Sequence, residues 1–181
     1  MPTLLCLLLC FVLTGISACG YIGEQKVKQA EIRKQTDEAF EQVFNSLGDL
    51  SGDLDLDNSV SPGIRQKVQN MDKLKNYDEV VSVLTQALSA KSNSPANPKA
   101  KANQVYLYSS LSRCQTYKGD YAGAEPNFKS AISIMQDMNP KPLHSLSACL
   151  QSYAFMLKKA GRTEDAAKAE GKAEVYMENA K

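Results

Sequence analysis

Tryptophan is absent from the 181 residues, histidine occurs once and glycine only ten times. Few glycines and no tryptophan suit a helical chain better than a sandwich or barrel, whose many tight turns consume glycine. A lone histidine removes most zinc sites and most His-dependent hydrolases, because both need partners for the imidazole. A charge excess of either sign is missing too: 21 Lys and Arg stand against 20 Asp and Glu, a net charge of +1. That balance excludes a dedicated nucleic-acid binder, which shows a basic stripe. Beyond residue 19 only Cys114 and Cys149 remain, so no disulfide framework holds the fold. No Asn-x-Ser/Thr acceptor occurs, which disfavours a glycosylated secreted protein. Catalytic motifs are missing as well: there is no His-x-x-x-His pair, no phosphate-cradling glycine loop and no Gly-x-Ser-x-Gly elbow. The expectation is therefore no enzyme, no cofactor and no metal. What remains is 43% hydrophobic and 23% charged residues, enough for one domain or a short repeat array.

Met1 to Gly23 carries no charged side chain, and Leu4 to Leu13 is an unbroken apolar run of ten residues. That length fits the apolar region of an export signal and is short for a membrane span. Small residues follow, ending in Ile16-Ser17-Ala18-Cys19. This string resembles the lipobox of bacterial lipoproteins, although the usual early Lys or Arg is missing. The resemblance implies cleavage before Cys19 and acylation of Cys19, with acyl chains sufficient for stable anchoring. A plainly cleaved signal and an uncleaved anchor helix are the alternatives. Residues 1–18 are thus expected to be a signal peptide. Cys19 would anchor the chain by lipid to a bacterial envelope membrane, with secretion as the other address.

Residues 24–47 read as a spacer helix, polar at first and then carrying Phe40, Val43, Phe44 and Leu47 at helical spacing. Residues 48–63 are a break. Asp53, Asp55 and Asp57 within it have the alternation of a calcium loop. Measured from Asp53, however, Asn58 replaces the sharp-turn glycine and Ile64 the closing glutamate, so the expectation is a solvated acidic linker. The 19–60 region is then lipid-attachment cysteine, spacer and linker.

From residue 61 onward the apolar spacing is helical throughout, with no alternating strand pattern. Ser61-Pro62 and Asn97-Pro98 are start signals, a capping side chain followed by proline in the first turn. Gly119-Asp120, Asn139 to Pro142 and Gly161 mark breaks. These breaks repeat. Gly119, Ala124 and Ala131 recur as Gly161, Ala166 and Ala173, all 42 residues on. Tyr77, Val80, Leu84 and Ala87 recur as Tyr121, Ala124, Phe128 and Ala131, all 44 on. A shared offset across several positions means one helix–turn–helix unit used three times. Ala124 and Ala166 would let paired helices approach closely, with Tyr121 and Phe128 filling the groove beside them.

Residues 99–180 resemble tetratricopeptide repeats in the longer, 42-residue form of kinesin light chains and many bacterial proteins. The string Gly119-Asp120-Tyr121-Ala122-Gly123-Ala124-Glu125-Pro126-Asn127-Phe128 carries the match. Tyr153-Ala154 through Gly161 to Ala167 carries a weaker one, and the 61–90 unit lacks the turn glycine. The resemblance implies an all-α fold over 61–181: three antiparallel helix pairs stacked as a short right-handed α-solenoid, preceded by the signal helix and spacer helix. It also implies a concave groove lined by the first helix of each pair. That groove would carry Arg65, Gln69 and Lys73, then Tyr106, Ser109, Arg113 and Tyr117, then Gln151, Phe155, Lys158 and Lys159. Arg113, Tyr117, Phe155 and Lys158 are expected to be at least partly exposed on one face. Such a mildly basic, partly aromatic surface suits a peptide or helix of a protein partner. Ala148 and Ser152 stand where the family's carboxylate clamp would need basic residues. The functional expectation is a membrane-tethered protein–protein interaction module. An accessory or small-molecule-binding helical domain of an exported enzyme system is the alternative. His144 is expected to face solvent or to cap locally. Cys114 and Cys149 lie seven residues out of register between stacked repeats, about 10 Å, too far for a disulfide.

Overall fold

The computed structural model describes residues 53–56, 60–91 and 97–180, with the isolated positions Val27, Lys28, Glu31 and Lys34; of residues 72–74 and 91 only the backbone is described. The chain divides into two compact units, 1–41 and 42–181. In the first, the four described positions are helical and exposed. The signal segment, Cys19 and the Phe40 to Leu47 stripe lie outside the described residues.

The second unit is all-α, and no strand occurs among its described residues. Its helices are α1 (Pro62–Leu74), α2 (Tyr77–Lys91), α3 (Pro98–Lys118), α4 (Tyr121–Gln136), α5 (Leu143–Lys159) and α6 (Thr163–Glu178). Several start or stop for a local reason. The Ser61 hydroxyl accepts the Ile64 N–H at 3.4 Å, and the Asn97 side chain accepts the Ala100 N–H at 2.7 Å, each ahead of a first-turn proline. Asp120 caps α4 through the Gly123 N–H at 3.0 Å. A Cβ on Gly123 would meet the ends of that same Asp120 carboxylate and the Gln115 amide, so those side-chain ends would have to shift to admit one.

The ends of α3 and α5 are built alike. Gly119 and Gly161 both have φ of 78°. The Gly119 N–H donates to the Thr116 carbonyl and the Asp120 N–H to that of Gln115; Gly161 and Arg162 repeat the pattern onto Lys158 and Leu157. This paired reverse bonding satisfies the last carbonyls and turns the chain back within two residues. After α1 the same left-handed turn is made by Lys75, at φ 52°. The missing glycine therefore left the turn in place, at the strain a side chain meets there.

Such short turns make chain neighbours antiparallel, and each helix packs on the next. The crossings are made at small residues. Ala124 and Ala131 of α4 and Ala166, Ala169 and Ala173 of α6 are buried. Phe128 is buried beside them and meets the Tyr153 ring at 5.7 Å. Pro126 lies inside α4 on its exposed side. The Ser147 hydroxyl donates to the Ala173 carbonyl at 2.8 Å, tying α5 to α6 through a small polar group.

Between α3 and α5 the contact is thin and hydroxyl-rich. The Ser109 hydroxyl lies 3.8 Å from the Cys149 sulfur. Ser112 and Thr116 turn their hydroxyls back onto the carbonyls of Ser109 and Ser112. Cys114 and Cys149 are both buried and form no disulfide. The Cys114 thiol instead reaches the Met71 sulfur at 3.1 Å, joining α3 to α1.

Within the 48–63 break, the described residues Asp53, Leu54 and Val60 pack on the helices and do not form a purely solvated linker. Leu54 is 2% exposed and Val60 1%. The Asp53 carboxylate accepts the backbone N–H of His144 at 3.0 Å and of Ser145 at 3.2 Å, and also the Ser145 hydroxyl. Asp57 lies outside the described residues.

Replacing Ala124 by leucine should lower stability by about 1–3 kcal/mol, because three added heavy atoms have no room at a close helix crossing. Ala122→Leu, on the exposed side of the same helix, should change it by less than about 0.5 kcal/mol. Denaturant melts of the two variants check this pair, and equal midpoints would mean that Ala124 does not set the crossing.

Candidate partner-binding groove

The eleven residues expected to line a groove fall into two groups. Arg65 of α1 and Tyr106 and Arg113 of α3 are brought together. Burial pushes the Tyr106 phenol up from its ordinary pKa, and the nearby Arg113 and Arg65 guanidinium groups and the Ser110 hydroxyl pull it the other way. Arg113 is 6% exposed, Tyr106 8% and Ser109 3%. The expectation that Arg113 is exposed is therefore corrected, and Tyr106 and Ser109 are no more accessible. The reason is positional. Helix α3 contacts α2, α4 and α5, and meets α1 through Met71, so side chains around most of its circumference are enclosed. A guanidinium enclosed in this way acts as a structural charge, costly to strip of its partners.

The second group stays accessible. Gln151 and Phe155 of α5 are half-buried, and Lys158 and Lys159 are exposed. The Lys159 ammonium sits 5.1 Å from the centre of the Phe155 ring, a cation–π pair. Lys158 pairs with Glu170 of α6, both partly exposed, so the pair adds little stability. Glu170 thus serves a surface contact. On α1, Gln69 is exposed and the side chain of Lys73 lies outside the described residues. Tyr117 is half-buried and stacks on Tyr77 at 5.3 Å. The accessible part of the candidate groove is consequently the α5 side, with Gln69 on α1.

A charge network lies where α4, α5 and α6 meet. Glu125 accepts from the Tyr153 hydroxyl at 3.0 Å and from Arg162 at 2.7 Å, and pairs with Lys129 at 2.8 Å. Lys129 does most to hold the Glu125 carboxyl down to about 2; burial opposes it, and the hydrogen bonds from Tyr153 and Arg162 add to the lowering. Burial, followed by the hydrogen bond to Glu125, pushes the Tyr153 phenol up to about 12. Arg162 also pairs with Asp165 at 2.8 Å, so one guanidinium joins two helices. The repeat pattern locates Glu125 and Arg162 near the turns but does not show that they meet.

Other chemistry finds little footing. Burial pushes the Cys149 thiol up to about 12, far from a reactive thiolate. Among the described residues no three His, Cys, Asp or Glu side chains converge on a metal position. The His144 side chain is exposed, and its backbone N–H is engaged by Asp53. No protein-family model, no curated protein and no solved structure matches the chain.

The Glu125 network gives a signed pH dependence. The folded-state pKa lies below the ordinary 4.5, so its stabilisation is complete above about pH 4.5 and is lost as pH falls toward 2. Glu125→Gln should flatten that acid limb while costing stability at pH 7. Urea midpoints measured from pH 7 to pH 2.5 decide it; parallel curves for both proteins would show that Glu125 does not carry the acid dependence.

Proposed function

We propose that this chain is a membrane-tethered protein–protein interaction module of the tetratricopeptide type. Its three helix pairs form a short right-handed solenoid, and its groove takes a peptide or helix from an envelope partner. The observation that carries this reading is the α5 surface, where a half-buried aromatic, Phe155, lies under the Lys159 ammonium and next to the exposed Lys158. An aromatic that is only partly covered, with cations and the amide of Gln151 around it, is the composition of a contact anchor. The repeated left-handed turns at Lys75, Gly119 and Gly161 support the solenoid. The cations favour an acidic segment, with a modest charge contribution, since the Debye length is about 8 Å at physiological salt.

A photo-crosslinking amino acid at Gln151, in protein expressed in its exporting host, should give a discrete adduct that weakens when Phe155 and Lys158 are changed to alanine. The same probe at the exposed Ser133 of α4 should give none. An adduct from Ser133 alone would move the binding face to α4.

The tether is proposed from the sequence alone. Ser17-Ala18-Cys19 after ten apolar residues leads to a mature chain that begins at an acylated Cys19. Mass spectrometry of the membrane fraction should find that N-terminus with lipid attached, and Cys19→Ala should release the protein on a salt wash. A mature chain beginning elsewhere would overturn the lipid anchor.

A further inference from the structure

Helix α3 has one side that its described neighbours approach only from the edges, and its contacts show which. Ser109 meets Cys149 of α5, and Cys114 meets Met71 of α1. At about 100° per residue those two contacts lie roughly 140° apart around the helix. Arg113, Tyr106 and Ser110 fall within the arc between them. Gln115, bonded to Asn127 of α4, and Lys118, paired with Asp78 of α2, fall outside it. In an open array this arc is the floor of the groove. The floor is nevertheless covered: Arg113 is 6% exposed, Tyr106 8% and Ser110 2%. The adjoining wall of α5 is covered too. Ser152, about 60° round from Cys149 on the way to Phe155, is 1% exposed, and its hydroxyl makes no hydrogen bond. Elsewhere apolar groups stay bare, as Val175 of α6 does at 54%. The cover is therefore particular to the corner between α3 and α5. The structure holds one chain, so the cover comes from the chain itself. Within this compact unit three internal stretches lie outside the described residues: 42–52, 57–59 and 92–96. The last two are short and polar, Asp57-Asn58-Ser59 and Ser92-Asn93-Ser94-Pro95-Ala96. Large apolar side chains come from 42–52, which carries Val43, Phe44, Leu47 and Leu50.

We propose that Phe44 and Leu47 dock into the corner between α3 and α5, over Tyr106, Ser110, Arg113 and Ser152, so that the chain fills the floor of its own groove. The reach allows it. Asp53 is held at the start of α5 by the Ser145 N–H. Leu47 lies six residues before Asp53 and Phe44 nine, a reach of up to about 20 Å and about 30 Å. Ser152 is seven residues beyond Ser145, about 10 Å along the helix axis. Helix α3 lies about 8–10 Å to the side. Both side chains are in range of the whole corner. The chemistry fits as well. A tyrosine ring and a planar guanidinium offer faces on which a phenylalanine stacks. An apolar cover also accounts for a serine hydroxyl that is shut off from water and yet unbonded, since methyl and phenyl groups offer it no partner. The share of the groove left to a partner is then the α5 flank at Gln151, Phe155, Lys158 and Lys159, and not the α3 floor. This goes beyond the partner reading and does not depend on it.

The test is thiol labelling of the full-length chain carrying Ser152→Cys, read peptide by peptide with mass spectrometry. The buried Cys114 and Cys149 report opening of the whole domain in the same sample. The introduced thiol should label as slowly as those two. Adding Phe44→Ser or Leu47→Ser should speed its labelling about tenfold or more, because losing one large buried apolar side chain shifts a docking equilibrium at least that far. Cys114 and Cys149 should stay slow. Phe44→Leu, which keeps an apolar side chain, should leave the introduced thiol slow. A benzophenone amino acid in place of Phe44 gives a second readout that decides the matter if the serine variants lose their fold. Its adducts within one chain should map to 106–113 or 148–155. An introduced thiol that labels fast from the outset overturns the docking. So does labelling unchanged by both serine variants, and so do benzophenone adducts confined to α2, α4 or α6 or formed between two copies. Both readouts are taken without a partner, so they succeed or fail apart from the Gln151 adduct.

Discussion

The close approach of antiparallel helices at alanine is the constraint on which the rest of this domain depends. Ala124, Ala131, Ala166 and Ala173 are each at most 1% exposed, so a longer side chain at any of them would have to displace its neighbours. That approach puts Phe128 against Tyr153 and lets a serine on α5 bond a carbonyl on α6. Full burial of a side chain the size of Phe128 is worth about 1.5–3 kcal/mol, and it is obtained only because the alanine one turn earlier yields the space. The left-handed turns serve the same end, since reversing the chain within two residues is what keeps paired helices adjacent.

Serine takes a similar part at the α3–α5 contact. Ser109, Ser112 and Thr116 are short, and Ser112 and Thr116 return their hydroxyls to their own helix. A hydroxyl satisfied on its own backbone needs no partner across the interface, so two polar helices can touch without an unmet group at each residue. The Ser152 hydroxyl is the exception, buried without a hydrogen bond. An unmade bond of this kind costs on the order of 1–3 kcal/mol, and nothing in the surrounding contacts explains why serine stands there.

Enclosing α3 also decides which charges remain for contact. Arg113 and Arg65 flank the Tyr106 phenol, with Arg113 almost fully enclosed, whereas α5 presents Gln151, Phe155, Lys158 and Lys159 along its outer side. Both helices carry polar residues at helical spacing, so the difference between them lies in their neighbours. A central helix is surrounded, and an outer one keeps a free flank.

The sequence by itself determined the elements. Helical spacing, the Ser61-Pro62 and Asn97-Pro98 starts, the glycine stops and the alanine crossings are properties of residues within a few positions of one another, and backbone sterics and capping act at that range. Even the turn without glycine was legible, from the 44-residue offset that aligns Lys75 with Gly119. The candidate site was legible only by halves: Phe155, Lys158 and Lys159 are accessible, whereas Arg113, Tyr106 and Ser109 are enclosed. Tertiary structure alone decided that enclosure, the meeting of Glu125 with Arg162 and Tyr153, and the capping of α5 by Asp53. Each of these contacts joins residues between 28 and 92 positions apart. Local pattern cannot foresee them, because a carboxylate in an acidic loop reads as solvated until the fold brings it to a helix end with unbonded N–H groups.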